Sequence, residues 1–309
     1  YTAYAVDADG NLNSTSRSVY INTPPVVANV TLNTSRNSTD DNQSLTFDLT
    51  DVENNTLRGI VDWRLNQESI AILNMPFDTN ISTTTDPIRD YGKIEDNGTS
   101  GAGNSSRMPT WTTDCAVGGC YEFESNKAIR IDPFPESTDN FTEMTTSLWM
   151  KANQVGGQVV KSDDCSGCAN ARQYQLYLGS GSMRVELADT QSGLIGIWNA
   201  SQWYHVVWVW DGSNYILYQD GNQIHNASGH TNSVDLSAWE FWIGDTFNGT
   251  IDEVQLYDSA LTPEQIQVLY QAGLNNQSVT TIHYNETNTG DLWSAAVTPN
   301  DQYEDGTTV

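Results

Sequence analysis

The sequence predicts an all-β protein in which one β-sandwich interrupts another. Three observations carry that reading. Helical periodicity is almost absent, while short β-rich runs recur between Asp-Gly, Asn-Gly and Ser/Thr clusters. The run Trp203–Trp210 (WYHVVWVW) is followed by two tight turns, Asp211-Gly212 and Asp220-Gly221-Asn222, which implies an antiparallel meander. A third pattern, a series of strands ending near Leu73, stops there and resumes only at Val279.

Taken in order, residues 1–23 read as a hairpin. Tyr1–Val6 alternates as a strand, Asp7–Asn11 has turn chemistry, Ser16–Ile21 is a second strand, and Pro24-Pro25 ends it. A lone hairpin is not stable in water, so this piece is expected to be the tail of a preceding domain or to pair with another chain. A split sandwich follows, assigned to residues 24–74 and 274–309. Its strands are Val26–Leu32, Ser44–Leu49, Gly59–Leu65 and Ser69–Leu73, then Val279–Tyr284 and Leu292–Thr298. PNDQYEDG is a turn, and Val309 is reached just as another strand should begin, so this sandwich is expected to lack its last strand and to leave that lane to a neighbour. Residues 75–273 form the interrupting unit, with Tyr215–Gln219, Gln223–Asn226, Phe241–Ile243 and Thr250–Tyr257 as further strands. One helix is predicted, Pro263–Ala272. Thr262 caps it, Pro263 opens it, Glu264 and Gln265 fill its first turn, and Gly273 ends it. Ile266, Leu269 and Tyr270 share a face of that helix.

Composition narrows the function classes. Formal net charge is −26, from 13 basic and 39 acidic residues in 309, so phosphate backbones are repelled and nucleic acid is excluded as a partner. No apolar run approaches the roughly 20 residues that span a bilayer. The opening YTAYAVDADG is already strand and turn, so the chain reads as a mature piece of something longer. Fifteen Asn residues satisfy the N-glycosylation rule: Asn13, Asn29, Asn33, Asn37, Asn42, Asn54, Asn80, Asn97, Asn104, Asn140, Asn199, Asn226, Asn248, Asn276 and Asn285. Chance would give roughly six in a chain this rich in Asn, Ser and Thr. That excess points to an extracellular, cell-surface glycoprotein. The four Cys form two close pairs, Cys115/Cys120 and Cys165/Cys168. Four Cys could hold one zinc, and C-x-x-C can be a redox motif. In an oxidising compartment the simpler reading is two local disulfides.

At this point residues 75–273 resemble the laminin-G-like (concanavalin-A-like) jelly-roll family, in its bacterial and archaeal surface-protein branch. The resemblance rests on NMPFD at Asn74–Asp78, WTTDCAVGGCYEFES at Trp111–Ser125, SLWMKA at Ser147–Ala152, QWYHVVWVWDGSNYILYQDGNQI at Gln202–Ile224 and NGTIDEVQLYDSALTPEQIQVLY at Asn248–Tyr270. Glu124-Ser125 departs from the Asp-Gly usual there, and Trp208 and Trp210 add to the tryptophan content. The flanks resemble Ig-like repeats of surface proteins. YTAYAVDADGNLNSTSRSVYI is similar to the last two strands of one repeat, and DLWSAAVTPNDQYEDGTTV to the sixth strand of another. Together these imply a jelly roll inserted in an Ig-like sandwich, preceded by the last hairpin of another Ig-like domain.

The candidate chemistry follows. Relatives of the fold include glucanases with paired carboxylates. The nearest pairs are Glu122/Glu124 and Asp252/Glu253, and neither sits where that chemistry needs it, so the chain is read as a binding module and not an enzyme. The resemblance implies one structural Ca²⁺ on the convex side, with Asp78, Asp252 and Glu124 as ligands. Sugar binding would use Trp239, Trp242 and Trp198 as aromatic faces. Trp203 and Tyr204 are expected in the core. Three functions are weighed. The first is a structural building block of an extracellular filament or surface layer, joined by strand pairing to copies of itself or neighbouring Ig-like domains. The second is an adhesin domain binding extracellular glycans or proteins. A glycoside hydrolase comes third.

Overall fold

Alternation along a strand sends successive side chains to opposite faces, and here it builds two sheets that share one core. The computed structural model describes residues 2–6, 12–16, 21–34, 41–124, 126–135, 141–154, 156–163, 172–179, 182–187, 190–191, 196, 198–229, 234, 236–237 and 239–309, with backbone alone at 2–6, 12–16, 163, 172–173 and 190–191. The first sheet runs Thr110–Thr112, Cys120–Phe123, Gly249–Tyr257, Met144–Ala152, Trp203–Trp210, Asn214–Gln219, Asn222–Ser228, with Leu73–Met75 also paired to Gly249–Tyr257. The second runs Thr190–Gln191, Met183–Leu187, Arg172–Leu178, Gly157–Asp163, Phe241–Gly244, Ala128–Ile131, Gly98–Ser100, Pro87–Ile88. Neighbours are antiparallel throughout both sheets. Their facing sides bury Phe123, Met150, Tyr174, Trp208, Phe241 and Ile251 in one core, the arrangement of a sandwich. In Trp203–Trp210 the side chains of Tyr204, Val206, Trp208 and Trp210 enter this core. Val207 and Val209 point the other way and are buried too.

The helix explains that second burial. It spans Pro263–Leu274 and opens with a capping box: Thr262 Oγ1 accepts from the Gln265 N–H, and the Thr262 N–H donates to Gln265 Oε1 at 2.7 Å. Ile266 and Leu269 pack on Val207, Val209, Tyr218 and Tyr257. Tyr270 stacks on Trp149 and His205. Gly273 does not end the helix as expected. It lies inside it, and a Cβ there would come within 2.5 Å of the Trp149 indole. The glycine is a packing residue, and Asn275 is the C-cap.

The segments on either side of the jelly roll meet. Trp293–Asn300 pairs with Arg58–Leu65 over eight residues, and Thr281–Ile282 pairs with Gln43 and Ser44. Val26–Asn33 completes the second small sheet beside Gln43–Thr50. Val27, Leu45, Val61, Trp63, Ile282 and Val297 form their common core.

Several elements differ from the sequence reading. The hairpin's second strand is Leu12–Ser16, with Val6 paired to Leu12 and Thr2 to Ser16. The stretch Ser69–Leu73 is broken. Glu68–Ser69 pairs with Arg64 and Leu65, whereas Leu73–Met75 joins the jelly roll. Ser69 Oγ makes the break by donating to Asp62 and accepting from the Ala71 N–H at 3.2 Å. Of Val279–Tyr284 only Thr281–Ile282 is strand, since a 3-10 turn begins at Tyr284. After the turn at Asp301–Glu304 the chain folds back. Gly306 N–H donates to the Pro299 carbonyl at 2.8 Å, Val309 N–H to Val297 at 3.0 Å, and Val297 N–H returns to Val309 at 2.8 Å. The lane expected to be free for a neighbour's strand is therefore entered by the same chain.

Candidate functional site

The two outer faces of the jelly roll differ. The outer face of the first sheet lies against the helix and the split sandwich, with a partly open cleft between them. Inside that cleft Ser147 Oγ lies 2.9 Å from His205 Nε2. Burial pushes His205 down to about 3, so the ring is neutral. Its Nδ1 has no hydrogen-bond partner among the described residues, and the ring is held between Ser147 and the Tyr270 stack.

The outer face of the second sheet carries a row set by register. Arg130 stands opposite Trp242, Trp242 opposite Lys161, Lys161 opposite Gln175, and Gln175 opposite Glu186. A second row holds Gln158, Tyr177 and Arg184. Their neighbours along each strand (Ile129, Phe241, Val160, Leu176, Val185) fill the core, which fixes these residues outward. Trp242 is half-buried. The Arg107 guanidinium lies 5.4 Å from its ring centroid and the Lys161 ammonium 5.9 Å. Asp245 joins both cations, at 2.8 Å to Arg107 and 3.0 Å to Lys161. Arg130 pairs with Glu240 and Asp132 at 3.3 Å each. Arg184 sits 5.0 Å from the Tyr177 ring. Gln175 is only 2% exposed, yet its Oε1 has no partner among the described residues. Arg107, Arg130, Lys161 and Arg184 are four of the 13 basic residues in a strongly acidic chain, so this face is far less acidic than the rest.

The expected sugar-binding aromatics separate. Trp242 lies on this face and Trp239 is half-buried in the chain leading to its strand, whereas Trp198 is 4% exposed and belongs to the core. Trp203, expected in the core, is half-buried with the Lys151 ammonium 5.0 Å from its ring. Sequence reasoning missed Arg107, Arg130, Lys161, Gln175, Tyr177 and Arg184. For Arg130, Gln175, Tyr177 and Arg184 the signal was there in AIRI, QLYL and MRVEL, where polar or amphipathic residues alternate with apolar ones.

Among the glycosylation candidates, Asn29, Asn33, Asn42, Asn54, Asn80, Asn97, Asn104, Asn199, Asn226, Asn276 and Asn285 are exposed and Asn248 is half-buried. Asn37, Asn140 and the Asn13 side chain lie outside the described residues. Cys115 and Cys120 form a disulfide, and Cys165 and Cys168 lie outside the described residues.

The expected Ca²⁺ ligands also separate. Asp78 and Asp252 come together where the jelly roll meets the split sandwich, 2% and 0% exposed. Glu124 is exposed, and no described contact joins it to either. Its place is taken by Glu253, which stands at a positive φ of 50°. Burial pushes Asp78 up to about 6 and Glu253 up to about 8, with Asp78 adding to the latter, and it raises Asp252 as well. Calcium needs six to eight oxygens at about 2.3–2.6 Å, so the ligand oxygens of one shell lie within about 5 Å of one another. Among the described residues no three carboxylates bring oxygens within 4.8 Å of one another. The group that does is Asp252 with Cys115 and Cys120, whose sulfurs are bonded to each other. The space holds a guanidinium instead: Arg58 Nε is 3.6 Å from Asp78 and Nη2 4.0 Å from Glu253. The residues as arranged do not fit a resident Ca²⁺.

Comparison with known proteins matches this architecture. No curated protein sequence matches the chain. The receptor binding domain of botulinum neurotoxin D is similar in structure, at 13% identity and TM-score 0.51, over 65% of this chain and 52% of that one. The botulinum neurotoxin serotype D ligand binding domain in complex with N-acetylneuraminic acid is similar at 12% identity and TM-score 0.50, over 65% and 50%. Domain 4 of the extracellular arabinanase AbnA from Geobacillus stearothermophilus, in complex with arabinotriose, has 18% identity and TM-score 0.49, over 66% of this chain and all of that one. The chain spans about half the length of the two toxin structures. The profile of the concanavalin A-like lectin/glucanases superfamily matches residues 123–267. That stretch, which includes both the Trp242 strand and the strand carrying Asp252, matches the laminin-G-like branch of that superfamily and has its all-β, two-sheet architecture.

Proposed function

We propose that the jelly roll is a carbohydrate-binding domain of an extracellular surface protein, with its site on the outer face of the second sheet around Trp242. The observation that supports this most is Trp242 itself. It is half-buried, flanked by Arg107 and Lys161, and shares its register row with Arg130, Lys161 and Gln175. A sugar ring has an apolar C–H face and a fringe of hydroxyls. An indole supports the first, and arginine, lysine, carboxylate and amide groups hydrogen-bond the second. The charges on this face are mostly paired, so it offers donors and acceptors in nearly equal number. The shared fold makes a sugar the first ligand to try, but at 12–13% identity the argument rests on the face and not on the relatives.

Binding fits better than catalysis. Glu122, half of the nearest carboxylate pair, is exposed on Cys120–Phe123 of the other sheet. The surface setting draws support from the density of exposed glycosylation motifs and from the Cys115–Cys120 disulfide. No helix among the described residues is long and apolar enough to cross a membrane. A filament role through strand exchange is not advanced, because residues 306–309 enter the lane it requires.

The test is a glycan array followed by calorimetry on the hits. Trp242→Ala is expected to weaken binding at least tenfold, about 1.4 kcal/mol, with the fold intact by circular dichroism. Trp198→Phe, a core change, should leave affinity alone. A blank array, or hits that ignore Trp242→Ala, would sink the assignment.

A further inference from the structure

We propose that Arg58 is a resident cation, supplied by the split sandwich to the carboxylate cluster of the jelly roll, and that it stands where this cluster would otherwise take a divalent ion. The groups come from four places. Arg58 begins the host strand Arg58–Leu65, Asp78 lies at the start of the jelly roll, and Asp252 and Glu253 lie in its last strand. The fourth is the disulfide loop Cys115–Cys120, whose three successive N–H groups close the cluster. Val117 donates to Asp252 at 2.8 Å, Gly118 to the Asn276 side chain at 2.8 Å, and Gly119 to Asp78 at 2.9 Å. Arg58 is 8% exposed and tethered, its Nη1 donating to the Asn276 main-chain and side-chain oxygens.

Three features make the guanidinium the cation of the site. Asp78 Oδ2, Asp252 Oδ1 and Glu253 Oε1 are buried with no hydrogen-bond partner among the described residues. Arg58 Nε and Nη2 are buried and unpartnered in the same way, so the guanidinium balances the cluster as a charge and not as a fork. Arg58 is also the only basic side chain within 4.0 Å of Asp78 or Glu253 among the described residues. Buried carboxylates without a nearby cation are costly. Removing Arg58 leaves three hard-oxygen donors facing a vacated guanidinium-sized space, and Ca²⁺ could be held only once those side chains close in to one shell. The counter-charge of the inserted jelly roll is thus provided by the sandwich that hosts it.

The experiment compares thermal unfolding of the full chain in EDTA and in millimolar CaCl₂. The wild type is expected to melt within about 1 °C in both. Arg58→Gln, which keeps a donor for Asn276, should melt lower in EDTA and gain at least about 3 °C from Ca²⁺. Arg58→Gln with Asp252→Asn should gain nothing. An Arg58→Gln protein that folds and ignores Ca²⁺ overturns the proposal. A second measurement needs no Arg58 variant. Asp252 pairs in register with Trp149, so Tb³⁺ bound at the cluster would be sensitised by that indole. Wild type and Asp252→Asn should give the same Tb³⁺ emission, and a loss of signal in Asp252→Asn would show that an ion already resides there.

Discussion

A single side chain often depends on what lies two layers away. Trp198 and Trp242 read alike in the sequence, as aromatics beside polar residues. One is sealed in the core and the other looks outward, because the strand Phe241–Gly244 alternates about its core residues Phe241 and Ile243. Nothing near Trp198 in sequence announced its burial. Glu253 is a second case. Strict alternation would put it and Asp252 on opposite faces, but the pairing with Met144–Ala152 shifts register there and Glu253 takes a φ of 50°. The irregularity delivers both carboxylates to one cluster. His205 gives a prediction at this scale. Its folded value of about 3 lies below the ordinary 6.5, so the unfolded chain binds the extra proton between those values. Stability from this residue is whole above 6.5 and falls as pH drops through that window, by up to about 1.4 kcal/mol per unit. Asp90, raised by burial to about 7, works in the opposite sense and is common to both proteins compared. In urea melts at pH 7 and pH 4.5, wild type should lose more stability than His205→Gln. Equal losses would mean that the imidazole is not held neutral.

The most legible elements were those with strong local grammar. The helix announced itself through Thr262, Pro263 and Gln265, and the meander through its Asp-Gly turns. The strands Ala128–Ile131, Gly157–Asp163, Arg172–Leu178 and Met183–Leu187 were passed over, and they build the candidate sugar face. They are short, and Gly157–Asp163 changes register twice against its neighbour, which blurs the period of two. Gly273 was legible as a glycine near a helix end but not as a contact. On helix propensity alone, Gly273→Ala should stabilise by about 1 kcal/mol. The 2.5 Å approach to Trp149 reverses the sign, since overpacking costs about 1–3 kcal/mol. Denaturant unfolding should show a net loss, and a gain would place the methyl in open space.

For the molecule as a whole, the interruption of a strand pattern at Leu73 and its return near Val279 pointed to two flanks that belong together. What the pattern did not carry was the joint between them: Arg58, the disulfide loop and Asn276 lie far apart in sequence and meet only after both bodies have formed. That follows from long-range contacts having no local signature.

The return of residues 306–309 along Trp293–Asn300 has a mechanical consequence. Gly306 lies so close to Pro25 that a Cβ there would be 1.8 Å from the Pro25 carbonyl, so the two ends of the split body are side by side. Tension applied between residues 25 and 306 would be borne by that short neighbourhood and by the eight-residue seam of Trp293–Asn300 with Arg58–Leu65. The inserted jelly roll stands outside the load path. In single-molecule stretching from the two ends, the small body should yield first. Only then should the insert be exposed to force and release its far greater hidden length, about 3.4 Å for each residue it contributes. A protein that displays a ligand-holding face from a taut tether would keep that face folded while its mounting takes the strain.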